Sequence, residues 1–198
     1  MSPETKRRWL LPLEWTLWAI GLACLAWYGF VAVEAWSYQR TERAAIERML
    51  AVRRLPDSTA DRLPPAPASV RLGDPIGILD VPRLGLSVAV INGDDDDTLR
   101  VAVGHLPETP MPWDGGNSAL AAHRDTFFRP LRDIRDEDEI RLTTARGAFD
   151  YRVTGTEIVE PDDVSVLAPT SAKSLTLVTC YPFVYVGAAP RRFIIHAK

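Results

Sequence analysis

Polar and apolar positions along the chain fall into three stretches of different rhythm. From Trp15 to Val33 the sequence WTLWAIGLACLAWYGFVAV runs 19 residues without a charge and without a polar stripe. A helix of that length rises about 28 Å, the hydrocarbon thickness of a bilayer, so the pattern predicts a membrane anchor over 15–33. Over 34–70 the rhythm changes. Ser37–Leu55 is rich in Arg, Glu and Ala and reads as a juxtamembrane helix, while Pro56–Ser69 carries four prolines and few large apolar side chains. That second composition makes an extended, semi-rigid spacer rather than a core.

From 71 to 198 short apolar runs alternate with turn residues: Ile76–Leu79, Leu86–Ile91, Asn117–Ala122, Glu139–Leu142, Phe149–Val159, Ser174–Thr179 and Phe193–His196. Several alternate with period two, the mark of half-buried strands, and prolines and glycines punctuate between them. Seven or eight short strands predict a mainly β domain, a closed barrel or a sandwich. The one helical signal is Asp94–Val103, with an Asp as its N-cap. Four consecutive carboxylates, Asp94–Asp97, diverge rather than converge, so a solvated turn and cap is expected there instead of a calcium site.

Lys6, Arg7 and Arg8 precede the apolar span. The positive-inside rule then keeps residues 1–14 cytoplasmic and exports the 71–198 domain. A cleaved signal peptide would have a shorter apolar region and a small-x-small site, and Glu34, Trp36 and Tyr38 are poor neighbours for cleavage. The expectation is a single-pass protein of the cell membrane. Of 198 residues, 46% are hydrophobic and 25% charged, with formal net charge −3, so no basic field points to nucleic acid as a partner.

Only two cysteines occur, Cys24 and Cys180, which excludes a disulfide framework and a Cys-rich zinc site. Cys180 ends an apolar run, at a strand terminus. A lone cysteine is often a small buried hydrophobe; outside the cytoplasm an unpaired thiol is a liability unless it reacts. As a nucleophile it needs its thiolate, favoured by a nearby imidazole or cation. Of His105, His123 and His196, the last two lie at or in strands, and His123 at a strand's end is the best placed. Arg191 and Arg192 open the final strand, and alternation points only one of them at a site on a given face.

The string TLVTCYPF, followed by VGAAPRRFIIHA, resembles the signature of the sortase family, especially class D or a neighbour such as class E. AAHRDTFFRPL at Ala121–Leu131 is similar to the family's histidine segment, and GHLPETPMPWDGGN at Gly104–Asn117 to the stretch before it. The likeness covers residues 74–198 in the expected order. It implies an eight-stranded sortase-type β-barrel with short helices behind the anchor. By position it implies Cys180 as nucleophile, His123 as the histidine and Arg192 as the arginine. The resemblance also suggests that Ala121, Val166, Leu167, Val178 and Thr179 line a groove for a sorting signal. Ala122 stands where such segments commonly have Gly, and its methyl is expected to narrow that groove or shift its backbone.

The implied activity is transpeptidation. A Leu-Pro-x-Thr-Gly/Ala-like signal is cleaved through a thioester, and the acyl group passes to a primary amine of the envelope or of a pilin-like protein. No cofactor is expected. Some sortases order the loop before the catalytic strand with calcium, and Asp162 and Asp163 lie there, yet two adjacent carboxylates in a turn are usually solvated. The rival reading is a membrane-tethered, non-enzymatic assembly factor on the same barrel; an L,D-transpeptidase lacks support because its SHGC-type segment is absent.

Overall fold

A computed structural model describes residues 14–30, 33, 37 and 70–198. The chain divides into two units, Met1–Tyr38 and Gln39–Lys198. In the first, residues 14–30 form helix α1, whose large apolar side chains are uncovered, Trp15 being 73% and Leu25 68% exposed. Among the described residues no helix is long and apolar enough to cross a membrane. The expected cytoplasmic N-terminus, juxtamembrane helix, spacer and the end of the apolar span lie almost wholly outside the described residues.

The second unit is a closed barrel of eight strands. In chain order they are β1 (Pro75–Val81), β2 (Leu86–Asn92), β3 (Val103–His105), β4 (Asn117–Ala121), β5 (Glu139–Thr144), β6 (Gly147–Val159), β7 (Ser174–Tyr181) and β8 (Arg191–Ala197). Around the barrel the order is β1-β2-β3-β4-β7-β8-β6-β5, closing back on β1. Closure leaves no open sheet edge to be covered.

Alternation decides which side chains fill it. Val88, Val90, Leu120, Leu142, Tyr151, Val153, Leu175, Leu177 and Ile195 pack in one core cluster with Phe128 and Leu131. Gly77 marks a close approach of strands: a Cβ there would meet the Thr143 carbonyl oxygen at 2.2 Å. The expected short helix is α2 (Asp96–Val101), and Asp95 caps it by accepting the Thr98 N–H at 3.0 Å. It ends sooner than the sequence pattern suggests, because Val103 turns into β3, three residues that run parallel to β2. A stretch so short gives no period to read.

Two pairings set up the rest of the molecule. β4 and β7 are parallel, so their C-terminal ends reach the same rim; β7 and β8 are antiparallel, so the N-terminal end of β8 reaches it too. Segments 121–124, 178–182 and 191–192 therefore meet, although 70 residues of sequence separate the first from the last.

Candidate active site

Cys180 is the penultimate residue of β7 and lies in register with Arg192 of β8, while Tyr181 lies opposite Arg191. Directly opposed residues of an antiparallel pair share a face, with Cβ atoms about 4.5–5.5 Å apart. Arg192, not Arg191, is thus the cross-strand neighbour of the thiol. Their other contacts agree with this: Arg191 pairs with Glu160 at 3.4 Å, whereas Arg192 donates one hydrogen bond, at 3.3 Å, to the Arg191 carbonyl.

On the other side of β7 the last register pair with β4 is Ala121 with Val178. The strands stay together beyond it, the Ala122 N–H donating to the Val178 carbonyl at 3.3 Å. Continuing the same parallel register by one residue past Ala122 brings His123 to the level of Cys180. Its carbonyl accepts the Phe128 N–H at 3.1 Å, closing a tight loop whose anchor, Phe128, is fully buried. Cys180, His123 and Arg192 are each partly buried, so the rim shields them while leaving them open to solvent. Among the described residues the His123 ring has no hydrogen-bond partner. A thiol, an imidazole without a hydrogen-bond partner and a guanidinium without an acidic partner on one rim can support nucleophilic attack on a carbonyl, proton transfer and stabilisation of negative charge.

The other histidines are in use elsewhere. His105, in β3, is fully buried; its Nδ1 meets the Asn92 amide oxygen at 3.1 Å and its Nε2 the Pro110 carbonyl at 3.1 Å. Burial pushes its pKa down, which favours the neutral ring. His196 lies 2.7 Å from Glu157 across β8 and β6.

The Sortase domain model matches residues 79–198. Sortase D of Bacillus subtilis (strain 168) is 34% identical over 91% of this chain and 93% of its own length. This chain belongs to the sortase family. Sortases are cysteine transpeptidases, and this chain is one of those enzymes. A Clostridium perfringens sortase D5 transpeptidase superposes with TM-score 0.64 at 24% identity, over 82% of this chain and 98% of that one, a likeness of fold. Sortase C of the same organism, solved with the C-terminal cell wall sorting motif, gives TM-score 0.58 at 26% identity, over 65% of this chain and 72% of that one.

The expected groove residues of this sortase divide by face. Ala121 and Val178 are register partners on the outer face with Cys180; Ile194, opposite Val178, shares their parity but is covered, 1% exposed. Ala122 and Thr179 do not. They are 5% and 2% exposed, Ala122 sits in the barrel core, and the Thr179 hydroxyl donates to the Ala122 carbonyl at 2.7 Å. The reason is the strand period of two: neighbours of outward residues must point inward. The Ala122 methyl therefore meets the core and does not narrow an outer groove.

Val166 and Leu167 belong to a 3-10 turn, Val164–Leu167, in the β6–β7 loop. Asn117 ties that loop to β4 by donating from its amide to the carbonyls of Val166, at 3.1 Å, and Ala168, at 3.3 Å. Val166 lines a cavity of about 450 Å³ with Asn117, Thr176 and His196, further along the outer face from Cys180. Sequence reasoning missed Asn117, although it has the parity of an outward position. Asp163 is occupied locally, accepting the Ser165 N–H at 3.0 Å and its hydroxyl at 2.6 Å. Among the described residues no group of three or more His, Cys, Asp or Glu is arranged to hold a metal ion.

Proposed function

We propose that Cys180, His123 and Arg192 are the catalytic residues of this sortase, acting on a Leu-Pro-x-Thr-Gly/Ala-like sorting signal. The observation that carries this reading is the meeting of three strand ends at one rim, with Arg192 in register with Cys180. The Cys180 thiolate attacks the Thr carbonyl carbon of the signal. Arg192 faces the oxyanion that develops. As the C–N bond breaks, protonated His123 gives its proton to the departing amine, leaving a thioester on Cys180. A primary amine of the envelope or of another exported protein then attacks the thioester. Its proton passes to His123, the C–S bond breaks, and the thiolate returns. The signal's apolar residues lie along Ala121 and Val178 toward the cavity at Val166. A sortase C of similar fold has been solved with the C-terminal cell wall sorting motif, which supports a peptide of this class.

Residues 15–33 anchor the enzyme as a single span, with the N-terminus cytoplasmic and the barrel outside the membrane. The uncharged run and the preceding Lys6, Arg7 and Arg8 support that placement.

Intact mass spectrometry of the full chain in detergent tests the function. It is incubated with a panel of Leu-Pro-x-Thr-Gly and Leu-Pro-x-Thr-Ala peptides, with and without an added amine. A thioester adduct on Cys180, turned into an amide product by the amine and missing from Cys180→Ala, is the expected result. A folded sample with a free thiol that acylates with none of the peptides would overturn the reading.

A further inference from the structure

The β7–β8 loop between the thiol strand and the arginine strand exposes apolar side chains. Val184 is 90%, Val186 99% and Tyr185 48% exposed. No strand pairing holds this loop; Phe183 at its start packs edge-on against Phe193 of β8, 5.4 Å between ring centroids, and among the described residues Arg124 is the side chain from elsewhere that hydrogen-bonds its backbone. Arg124, the residue after His123, donates from one Nη2 to the carbonyls of Tyr185 at 3.0 Å and Gly187 at 3.3 Å. Its guanidinium also lies over the Tyr185 ring, 5.7 Å from the centroid, within the range of a cation–π contact. Its other terminal nitrogen, Nη1, is buried without a hydrogen-bond partner, a costly arrangement for a residue whose only role is to brace a loop.

The loop's position decides which half of the reaction it serves. Along the outer face, beyond Cys180 and the half-buried Val178, lies the Val166 cavity, room for the acyl part of an extended peptide. The β7–β8 loop leaves Cys180 in the opposite direction. The departing amine, and the incoming one that retraces its path, must occupy that side.

We propose that Arg124 is a positioning residue for the amine-transfer half of the reaction. It fastens the β7–β8 loop to the histidine segment, and the fastened loop is the wall against which the amine is held for His123. Arg124 acts through the loop and does not touch the reacting atoms. This rests on the reading of Cys180 as nucleophile and His123 as its proton partner.

The test compares full-length wild type with Arg124→Ala and Arg124→Lys. Hydrogen–deuterium exchange of residues 183–190, without substrate, reads the tie directly. Acylation of Cys180 by the best peptide of the panel reads the first half-reaction. Resolution of that thioester by alanine amide and by hydroxylamine reads the second, hydroxylamine being small enough to need no wall. For Arg124→Ala, loss of the charged hydrogen bonds is expected to speed loop exchange and raise the half-saturating alanine amide concentration, each roughly tenfold. Acylation and hydroxylaminolysis stay near wild type. Arg124→Lys, which keeps the charge but not the planar fork, recovers part of the amine affinity. Unchanged loop exchange would overturn the tie. Equal loss of acylation, hydroxylaminolysis and amine transfer would overturn the positioning role and leave a structural one. If wild type itself forms no thioester, the proposed function fails and takes the amine assignment with it, while the exchange arm still decides whether Arg124 holds the loop.

Discussion

On the flank built by β5 and β6 the arginines are paired across strands: Arg141 with Asp150 at 2.5 Å and Arg152 with Glu139 at 2.9 Å. Arg83, in the turn between β1 and β2, holds Asp138, just before β5, at 2.5 Å. At the rim that carries Cys180 the treatment is reversed. Arg192 has no carboxylate within ion-pair distance among the described residues, and the neighbouring Arg191 takes Glu160 instead. Histidines follow the same division, with His105 and His196 engaged and His123 unengaged. The paired flank uses charge to satisfy charge. The rim keeps one cation and one imidazole unspent beside a thiol, an arrangement that fits chemistry better than stability.

The sharpest way to break this contrast is to exchange the fates of two adjacent arginines. Arg192→Ala is expected to lower the rate of Cys180 acylation by about 10²–10³, the usual cost of losing a donor to a developing oxyanion. Arg191→Ala removes only an exposed pair with Glu160 and is expected to leave the rate within about threefold. Acylation rates of the two variants, measured by quenched intact mass, decide it. Equal effects would mean that register does not select the working arginine.

Much of this architecture is legible in the order of residues alone. Seven of the eight strands stand out as short apolar runs between turn residues, several of them alternating, and the Asp-capped helix stands out by its cap, because half-buried strands and caps leave local signals. β3 does not, since three residues carry no period and the preceding helix runs into them. Alternation also says that only one of Arg191 and Arg192 can face the thiol, but the choice between them depends on the β7–β8 register, a long-range fact. The same rule, applied to Ala122 and Thr179, turns both inward: each is one step from an outward residue, Ala121 and Val178 or Cys180. Arg124 gives no signal of its own, because its partners are carbonyls some 60 positions away in a loop whose path the sequence does not specify.

The paired flank offers a smaller effect with no chemistry attached. Asp138 is 7% exposed and accepts from Arg83 Nε and Nη2, each at 2.5 Å, and from the Arg135 N–H at 2.8 Å. The Arg83 hydrogen bonds, foremost, hold its carboxyl below the usual carboxylate range. A pKa lowered by folding means the stabilisation is present above the unfolded value, about 3.9, and is lost as pH falls through the folded one. Asp138→Asn is expected to cost about 2 kcal/mol near neutral pH, and the gap to wild type should close as acid protonates Asp138. The Val153 N–H donates to the Asp138 carbonyl, and Val153 pairs with Ala197, at the far end of β8 from Arg192. Peptide acylation should therefore be unchanged. Urea melts at neutral pH and near pH 3, with acylation rates alongside, separate the two flanks.

The finest division lies within single strands, between faces one residue apart. Val178 is outward and Ala122 inward, yet the family resemblance places both on one groove. Val178→Ala removes two methyl groups from the outer face, so it is expected to raise the peptide KM roughly three- to tenfold with little change in melting temperature. Ala122→Gly deletes a core methyl and loosens the backbone, for a cost of about 0.5–1 kcal/mol, and the ranking of peptides in the panel should stay as in wild type. A changed ranking in Ala122→Gly would mean that the methyl acts on the groove through the backbone between Ala121 and His123. The inward face would then govern specificity as well as stability.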